Sequence, residues 1–238
     1  PDASVDDGSC MYPNNGNYAL SFDGEDDYVE INNSVDDVFT FSASIKIDDL
    51  NNFSQYNHIL LSSGDEWVWY IRVDGDVSLA IYHNDLEAIH IIDNFNEGVW
   101  YELSTTFDGT YINHFVDGQL IGDLNNSWDL SSNNSETLNI GSWYEGEFFS
   151  GNIRDLKIYS SALSSDDVEM NFNNGNVLDF EDEIIAKYKF NSGSGDILYD
   201  HSGNQNHGII YGADWIPVMP NYNGPNWYVS NNGSDDNN

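Results

Sequence analysis

Three short stretches, VDGDV (73–77), FDGTY (107–111) and VDGQL (116–120), each set Asp-Gly between two apolar runs. Asp-Gly in that setting marks a tight β-hairpin, because its backbone twist matches that of the flanking strands. Helical periodicity is nearly absent, while strand-length runs recur at short intervals with Gly, Asn and Asp between them. Strands are predicted at 18–22, 28–31, 39–47, 58–62, 67–73, 77–83, 88–92, 100–107, 111–116, 137–140 and 153–159, with a return to strand in AKYKFNSGSG, 186–195. So many short antiparallel strands predict an all-β, two-sheet sandwich. One short helix is expected at 162–175, ALSSDDVEMNFNNG. Ser164 precedes Asp167 by three residues, acids fill the first turn, and Gly175 is the stop. Val168 and Phe172, four apart, would lay one apolar stripe on the sandwich.

A chain of 238 residues with 39% hydrophobic and 14% aromatic content can bury a substantial core. Its charge is extreme: 41 Asp plus Glu against 6 Lys plus Arg, a formal −35. That excludes nucleic acid as a partner, because too few cations exist to neutralise a row of phosphates. It equally opposes anionic membrane surfaces. Such a field attracts cations, and bound Ca²⁺ would relieve part of the self-repulsion. The plainer alternative is solubility in a salty medium, where charge is screened within about 10 Å. Cys10 is the one cysteine, so no disulfide forms within the chain. No apolar run reaches the length of a membrane span. The first twenty residues lack the basic start and apolar core of a signal peptide. Either a leader has been removed or the chain is a segment of a longer one, and the two ends favour the segment.

ALSFDGEDDYVEI (19–31), FTFSASIKI (39–47), GVWYELSTTFDGTYINHFVDGQLIG (98–122), LNIGS (138–142) and FFSGNIRDLKIYSSALSSDDV (148–168) resemble, in order, a bacterial laminin G-like domain of the concanavalin A-like lectin and glucanase superfamily. The resemblance implies a two-sheet antiparallel jelly-roll sandwich, commonly with bound calcium and often with carbohydrate-binding or adhesion roles. KYKFNSGSGDILYDHSGNQNHGIIYGADW (187–215) resembles the part of that family that normally precedes the ALSFDG strand. Residues 14–216 are therefore expected to form one sandwich, with 186–216 supplying a strand in circularly permuted order. PDASVDDGSC (1–10) resembles the end of a cysteine-containing inter-module repeat, so residues 1–13 are assigned to it. Residues 217–238 are assigned to a linker or a downstream β-helix, whose entry NWYVSNNGSDDNN (226–238) resembles.

Glycoside hydrolysis needs two carboxylates at a set separation. The glucanase pattern Glu-x-Asp-x-x-Glu is on no predicted strand, and FEDEII (180–185) lacks the spacing. No G-x-S-x-G elbow or zinc-ligand spacing is present. His58, His83, His90 and His114 fall on predicted strands and read first as packed residues. Calcium is better supported, because it takes six to eight oxygens from flexible turns. In FDGEDDY (22–28), Asp23, Asp26 and Asp27 crowd one turn. In YDHSGNQNHG (199–208), Asp200, Ser202, Asn204 and Asn206 offer oxygens at alternate positions, and the resemblance adds Asp155 as a metal-proximal acid. The competing reading makes all of them Asx-turn acceptors.

For sugar binding, Trp67, Trp69 and Ile71 share one strand face and read as core, leaving Tyr70 and Arg72 on the other. Trp128, Trp143 and Tyr144 sit in predicted loops, where ligand contacts concentrate. The leading expectation is a non-catalytic, extracellular, calcium-stabilised module that binds glycan or a cell-surface polymer, or other copies of itself, within a larger secreted protein. The alternatives are a structural module that spaces domains or assembles into a fibre, and an accessory domain of a polysaccharide-degrading enzyme.

Overall fold

The computed structural model describes residues 14–35, 38–50, 57–64, 67–83, 86–125, 137–143, 146–173 and 183–218. The first strands in chain order are β1 (Tyr18–Asp23), β2 (Tyr28–Ile31), β3 (Phe39–Lys46), β4 (Asn57–Ser63), β5 (Trp67–Asp74) and β6 (Asp76–His83). Then come β7 (Leu86–Ile91), β8 (Tyr101–Phe107), β9 (Tyr111–Val116), β10 (Gln119–Asn125), β11 (Leu138–Ile140), β12 (Ser142–Trp143) and β13 (Glu147–Phe148). The last elements are β14 (Ser150–Tyr159), helix α1 (Ser165–Asn173), β15 (Ile184–Tyr188), β16 (Ile197–Leu198), β17 (Gly208–Tyr211) and β18 (Asp214–Pro217).

Two antiparallel sheets face each other. The first runs β10-β9-β8-β3-β14-β1-β18, and the second runs β16-β17-β2-β11-β4-β5-β6-β7. β12 and β13 form a separate small hairpin. The Asp-Gly turns set the registers as expected. Asp117 (φ 49) and Gly118 (φ 75) both occupy the left-handed region between β9 and β10, a conformation that costs glycine nothing. A side chain at 118 would also meet Phe172, whose Cβ would lie 2.9 Å from it.

The core lies between the sheets. Period-2 alternation points Phe39, Phe41, Ala43 and Ile45 of β3 inward, where Phe41 stacks on Trp67 with ring centroids 5.0 Å apart. The other face of β3 is buried as well. Thr40 Oγ1 donates to Ser161 O (2.7 Å) and accepts from Leu163 N–H (2.9 Å), tying down the segment that leads into α1. There Phe115, Tyr159, Leu163, Val168 and Ile184 form a second small core. Ser164 and Asp167 cap α1 reciprocally: Asp167 N–H donates to Ser164 Oγ (3.2 Å), and Ser164 N–H donates to Asp167 Oδ2 (3.3 Å). Of the expected stripe, Val168 is buried but Phe172 is 37% exposed. The helix is short, and Phe172 lies over Gly118 at the rim rather than over the small core.

Residues 184–217 place strands in both sheets. β15 pairs with the second half of β14, β17 pairs with β2, and β18 pairs with β1. β14 can serve β1 and then β15 on one edge because it bulges at Asp155, whose φ is 52°. The segments 1–13 and 219–238 lie outside the described residues.

Candidate functional site

Strand β5 carries the clearest site. Trp67, Trp69 and Ile71 are at most 1% exposed in the core, which turns Val68, Tyr70 and Arg72 to the outer face of the second sheet. There Ile59, Val68, Tyr70 and Ala80 make an apolar floor, with Tyr82 and Trp143 packed against it. Trp143 arrives from the β12–β13 hairpin, its ring 5.8 Å from that of Tyr82. The result is a pocket of about 550 Å³ lined by these aromatics and by Arg72, Glu87 and Glu147. The Tyr70 hydroxyl donates to Glu87 Oε1, and Arg72 Nη1 lies 3.3 Å from Glu87 Oε2. Arg72 Nη2 also reaches Asp74 at 3.5 Å. Burial raises the Tyr70 pKa, and the Glu87 carboxylate raises it further, so its phenol stays a proton donor. Aromatic faces beside a fixed guanidinium and carboxylate suit a ligand with apolar faces and hydroxyl edges.

Tyr70, Arg72 and Trp143 are thus brought together, while Trp128 and Tyr144 lie outside the described residues. Tyr82, Glu87 and Glu147 were missed by sequence reasoning. The hairpin register could have found two of them: the 73–77 turn sets Tyr82 opposite Val68, and Glu87 stands opposite Tyr82.

The acids of the 22–28 turn also converge. One carboxylate oxygen from each of Asp23, Asp26 and Asp27 lies within 4.8 Å of the others. Asp23 Oδ1 accepts Glu25 N–H, and Asp27 Oδ2 accepts Asp23 N–H, both at 2.8 Å. Asp27 is 7% exposed and presses on the β17–β18 turn, where a Cβ on Gly212 would lie 2.0 Å from its Oδ1. Burial raises the Asp27 pKa. The Asp23 N–H bond opposes this, and the charges of Asp23, Asp26 and Asp214 add to it. A divalent cation would reverse that balance, so these three carboxylates could hold a metal ion. Asp155 does not join the three. It sits on the β14 bulge 3.4 Å from Arg154 Nε, with its pKa raised by burial against the pull of Arg154 and Lys157.

The 199–208 loop is built differently. Asp200 is fully buried, and its two oxygens accept four bonds: from Lys187 N–H (2.9 Å), Ser202 N–H (2.8 Å), Ser202 Oγ (2.7 Å) and Asn206 N–H (3.0 Å). Asn204 and Asn206 turn their Nδ2 groups to the carbonyls of Ile184 and Ile185. These residues stitch the loop to β15. The strand histidines are packed as well. His114 takes a bond with Thr105 Oγ1 at Nδ1 (2.7 Å), and desolvation lowers its pKa to about 3. Desolvation likewise lowers that of His58 to about 4.

The family model described as the Concanavalin A-like lectin/glucanases superfamily, a laminin G domain, matches residues 23–169. A search of curated proteins found no significant match. Among solved structures, the chain is similar to a candidate carbohydrate binding protein from Bacteroides ovatus, with TM-score 0.67 and 16% identity over 86% of this chain. The chain spans 60% of that protein's length. A SAP-like pentraxin from Limulus polyphemus matches with TM-score 0.53 and 16% identity, over 68% of this chain and 84% of its own. The CBM40 of the Ruminococcus gnavus IT-sialidase, bound to α2,3 sialyllactose, matches with TM-score 0.52 and 15% identity, over 64% of this chain and 95% of its own. At these identities the likeness is one of fold. With the sandwich, its registers and the matched residues in agreement, the chain belongs to the laminin G-like family of the concanavalin A-like lectin/glucanase superfamily.

Proposed function

We propose that the chain is a non-catalytic carbohydrate-binding module that holds its ligand in the pocket on the outer face of the second sheet. The observation that carries this reading is the meeting of Tyr70, Tyr82 and Trp143 with the Arg72–Glu87 pair around one 550 Å³ space. Glu87 is engaged by Arg72 and by the Tyr70 hydroxyl, an arrangement suited to orienting hydroxyls rather than to supplying a proton. The fold-level likeness to proteins named for carbohydrate binding supports it. The test is a glycan array with the whole chain, followed by titration of the best ligand. Trp143→Ala and Arg72→Ala should each weaken binding about tenfold or more, with no reducing ends released. An empty array, or affinity unmoved in both variants, would overturn the reading. Release of reducing ends would remove its non-catalytic part.

Asp23, Asp26 and Asp27 would hold a Ca²⁺ ion, which would neutralise their mutual repulsion and stiffen the turn against Gly212. The proposed module runs from 14 to 216 in a larger secreted or cell-surface adhesive protein, between the repeat end at 1–13 and the linker or β-helix entry at 217–238. Residues 186–216 complete it in permuted order, a reading supported by the pairing of β15, β17 and β18 with β14, β2 and β1.

A further inference from the structure

The pocket on the outer face of the second sheet gathers three carboxylates, Asp74, Glu87 and Glu147, around one guanidinium, that of Arg72, a formal excess of two negative charges. The guanidinium is already matched: Arg72 Nη1 lies 3.3 Å from Glu87 Oε2, and Arg72 Nη2 lies 3.5 Å from Asp74 Oδ2. Among the described residues lining the pocket, Arg72 is the one cation. An acidic sugar would therefore meet carboxylates with no further cation to offset them. A ligand with a positive group would meet the opposite balance.

Strand register decides where that excess sits. Ala80 of β6 stands between Tyr70 of β5 and Ile89 of β7, and its short side chain leaves room for Glu87 to cross β6 to Arg72 and the Tyr70 hydroxyl. Trp143 and Glu147 are direct cross-strand partners in the β12–β13 hairpin, so their side chains leave one face of it, with Cβ atoms roughly 5 Å apart. That face is turned to the pocket, since both residues line it. A carboxylate is thus held beside an indole whose ring centroid lies 5.8 Å from that of Tyr82. Burial, then the Glu87 carboxylate and then the Glu147 charge raise the Tyr70 pKa, so Glu147 is felt at the pocket floor. Aromatic faces attract a cation, most strongly where water is excluded, and an adjacent carboxylate adds to the attraction.

We propose that the glycan taken by this pocket carries a protonated amine, as in a glucosamine unit, with its ammonium over the Trp143 ring and against Glu147. This rests on the pocket being the glycan site. The ammonium needs no carboxylate stripped of its other contacts, because what selects it is the two-charge excess around the aromatic walls. The Arg72–Glu87 pair stays in place to meet hydroxyls. The net charge of −35 acts in the same direction, drawing cations towards the chain over about 8 Å at physiological salt. That field covers the whole surface and adds a diffuse attraction, whereas the ammonium site depends on Trp143.

The test titrates the whole chain by calorimetry at about pH 5.5, where carboxylates are ionised and amines protonated. The probes are three trisaccharides of one β1,4 backbone that differ only at C2: triglucosamine, its N-acetylated form and cellotriose. The amine form should bind at one site, about tenfold or more tighter than either neutral form. Trp143→Ala should remove that binding. Glu147→Gln should cut the preference for the amine about tenfold. Asp74→Asn, at the exposed end of β5, should cut it about twofold and guards against a folding defect in the first variant. Asp123→Asn, which removes the same charge from an exposed position on β10, should leave affinity unchanged. A neutral trisaccharide bound as tightly as the amine, and lost in Trp143→Ala, would overturn the amine while leaving the pocket as a glycan site. Amine binding unmoved by Trp143→Ala and Glu147→Gln would assign it to the diffuse field and overturn the proposal. Binding of none of the three would also overturn it, and the glycan array would then decide the pocket reading separately.

Discussion

The 22–28 turn and the 199–208 loop have similar side-chain vocabularies and opposite constructions. In the first, three carboxylates converge within 4.8 Å, and two of the hydrogen bonds they accept come from backbone N–H groups of the turn itself. In the second, one buried carboxylate gathers four donors, including Lys187 N–H from a neighbouring strand. The first gathers like charges whose repulsion a bound cation would relieve. The second has its acceptor capacity spent, and it acts as a knot that holds β15 to the loop. What decides between metal loop and structural turn is the supply of donors around the oxygens, not the number of oxygens.

The largest expected effect falls on the knot. Asp200→Ala leaves buried donors without an acceptor and should cost at least about 3 kcal/mol, seen as a lower urea midpoint that calcium does not restore. Truncation before Ile184 should abolish cooperative unfolding altogether. A truncated chain that melts like the whole one would remove residues 184–217 from the sandwich and break the comparison.

Next comes the calcium response of the acidic turn. With Ca²⁺ about 100-fold above its dissociation constant, the folded state should gain about 2.7 kcal/mol, read as a rise in melting temperature reversed by chelator. Asp26→Asn should lose most of that gain, while Asp200→Asn should keep it. Identical melting with calcium and with chelator would leave the acidic turn without its assigned ion.

The smallest effect is a pH dependence. The folded-state pKa of Asp27 is raised above its ordinary 3.8, so the folded chain takes up that proton first. As pH falls from neutral through the raised value towards 3.8, this group should make the calcium-free protein more stable. His58 and His114 act the other way. Their folded values of about 4 and about 3 lie below the ordinary 6.5, so the unfolded chain protonates first and stability is lost as pH falls below 6.5. Subtracting the Asp27→Asn stability curve from that of the parent chain removes the histidine contribution. A flat difference would mean that Asp27 is not strained by its neighbours.

Much of the architecture was legible in sequence, because Asp-Gly turns and period-2 alternation are local signals. They placed β2 and β9 to the residue and set Trp67 and Trp69 against Tyr70 and Arg72. The 119–125 strand went unmarked beyond its VDGQL turn. β10 exposes most of its residues at a sheet edge, so it lacks the buried face that produces alternation. Trp143 was singled out as a loop aromatic, but its partners Tyr82 and Glu87 were not, since they meet it only once β12 folds over the sheet.

By itself, the sequence determined the sandwich class, the core face of the Trp67–Ile71 strand and the capped helix. Each follows from short-range pattern. Only the tertiary structure decided which acids converge and which are satisfied, and it alone brought Trp143 and Glu147 over Tyr70 and Tyr82. Those outcomes depend on strand order and on donors supplied by segments more than a hundred residues apart, such as Gly212 against Asp27. No local periodicity encodes that distance.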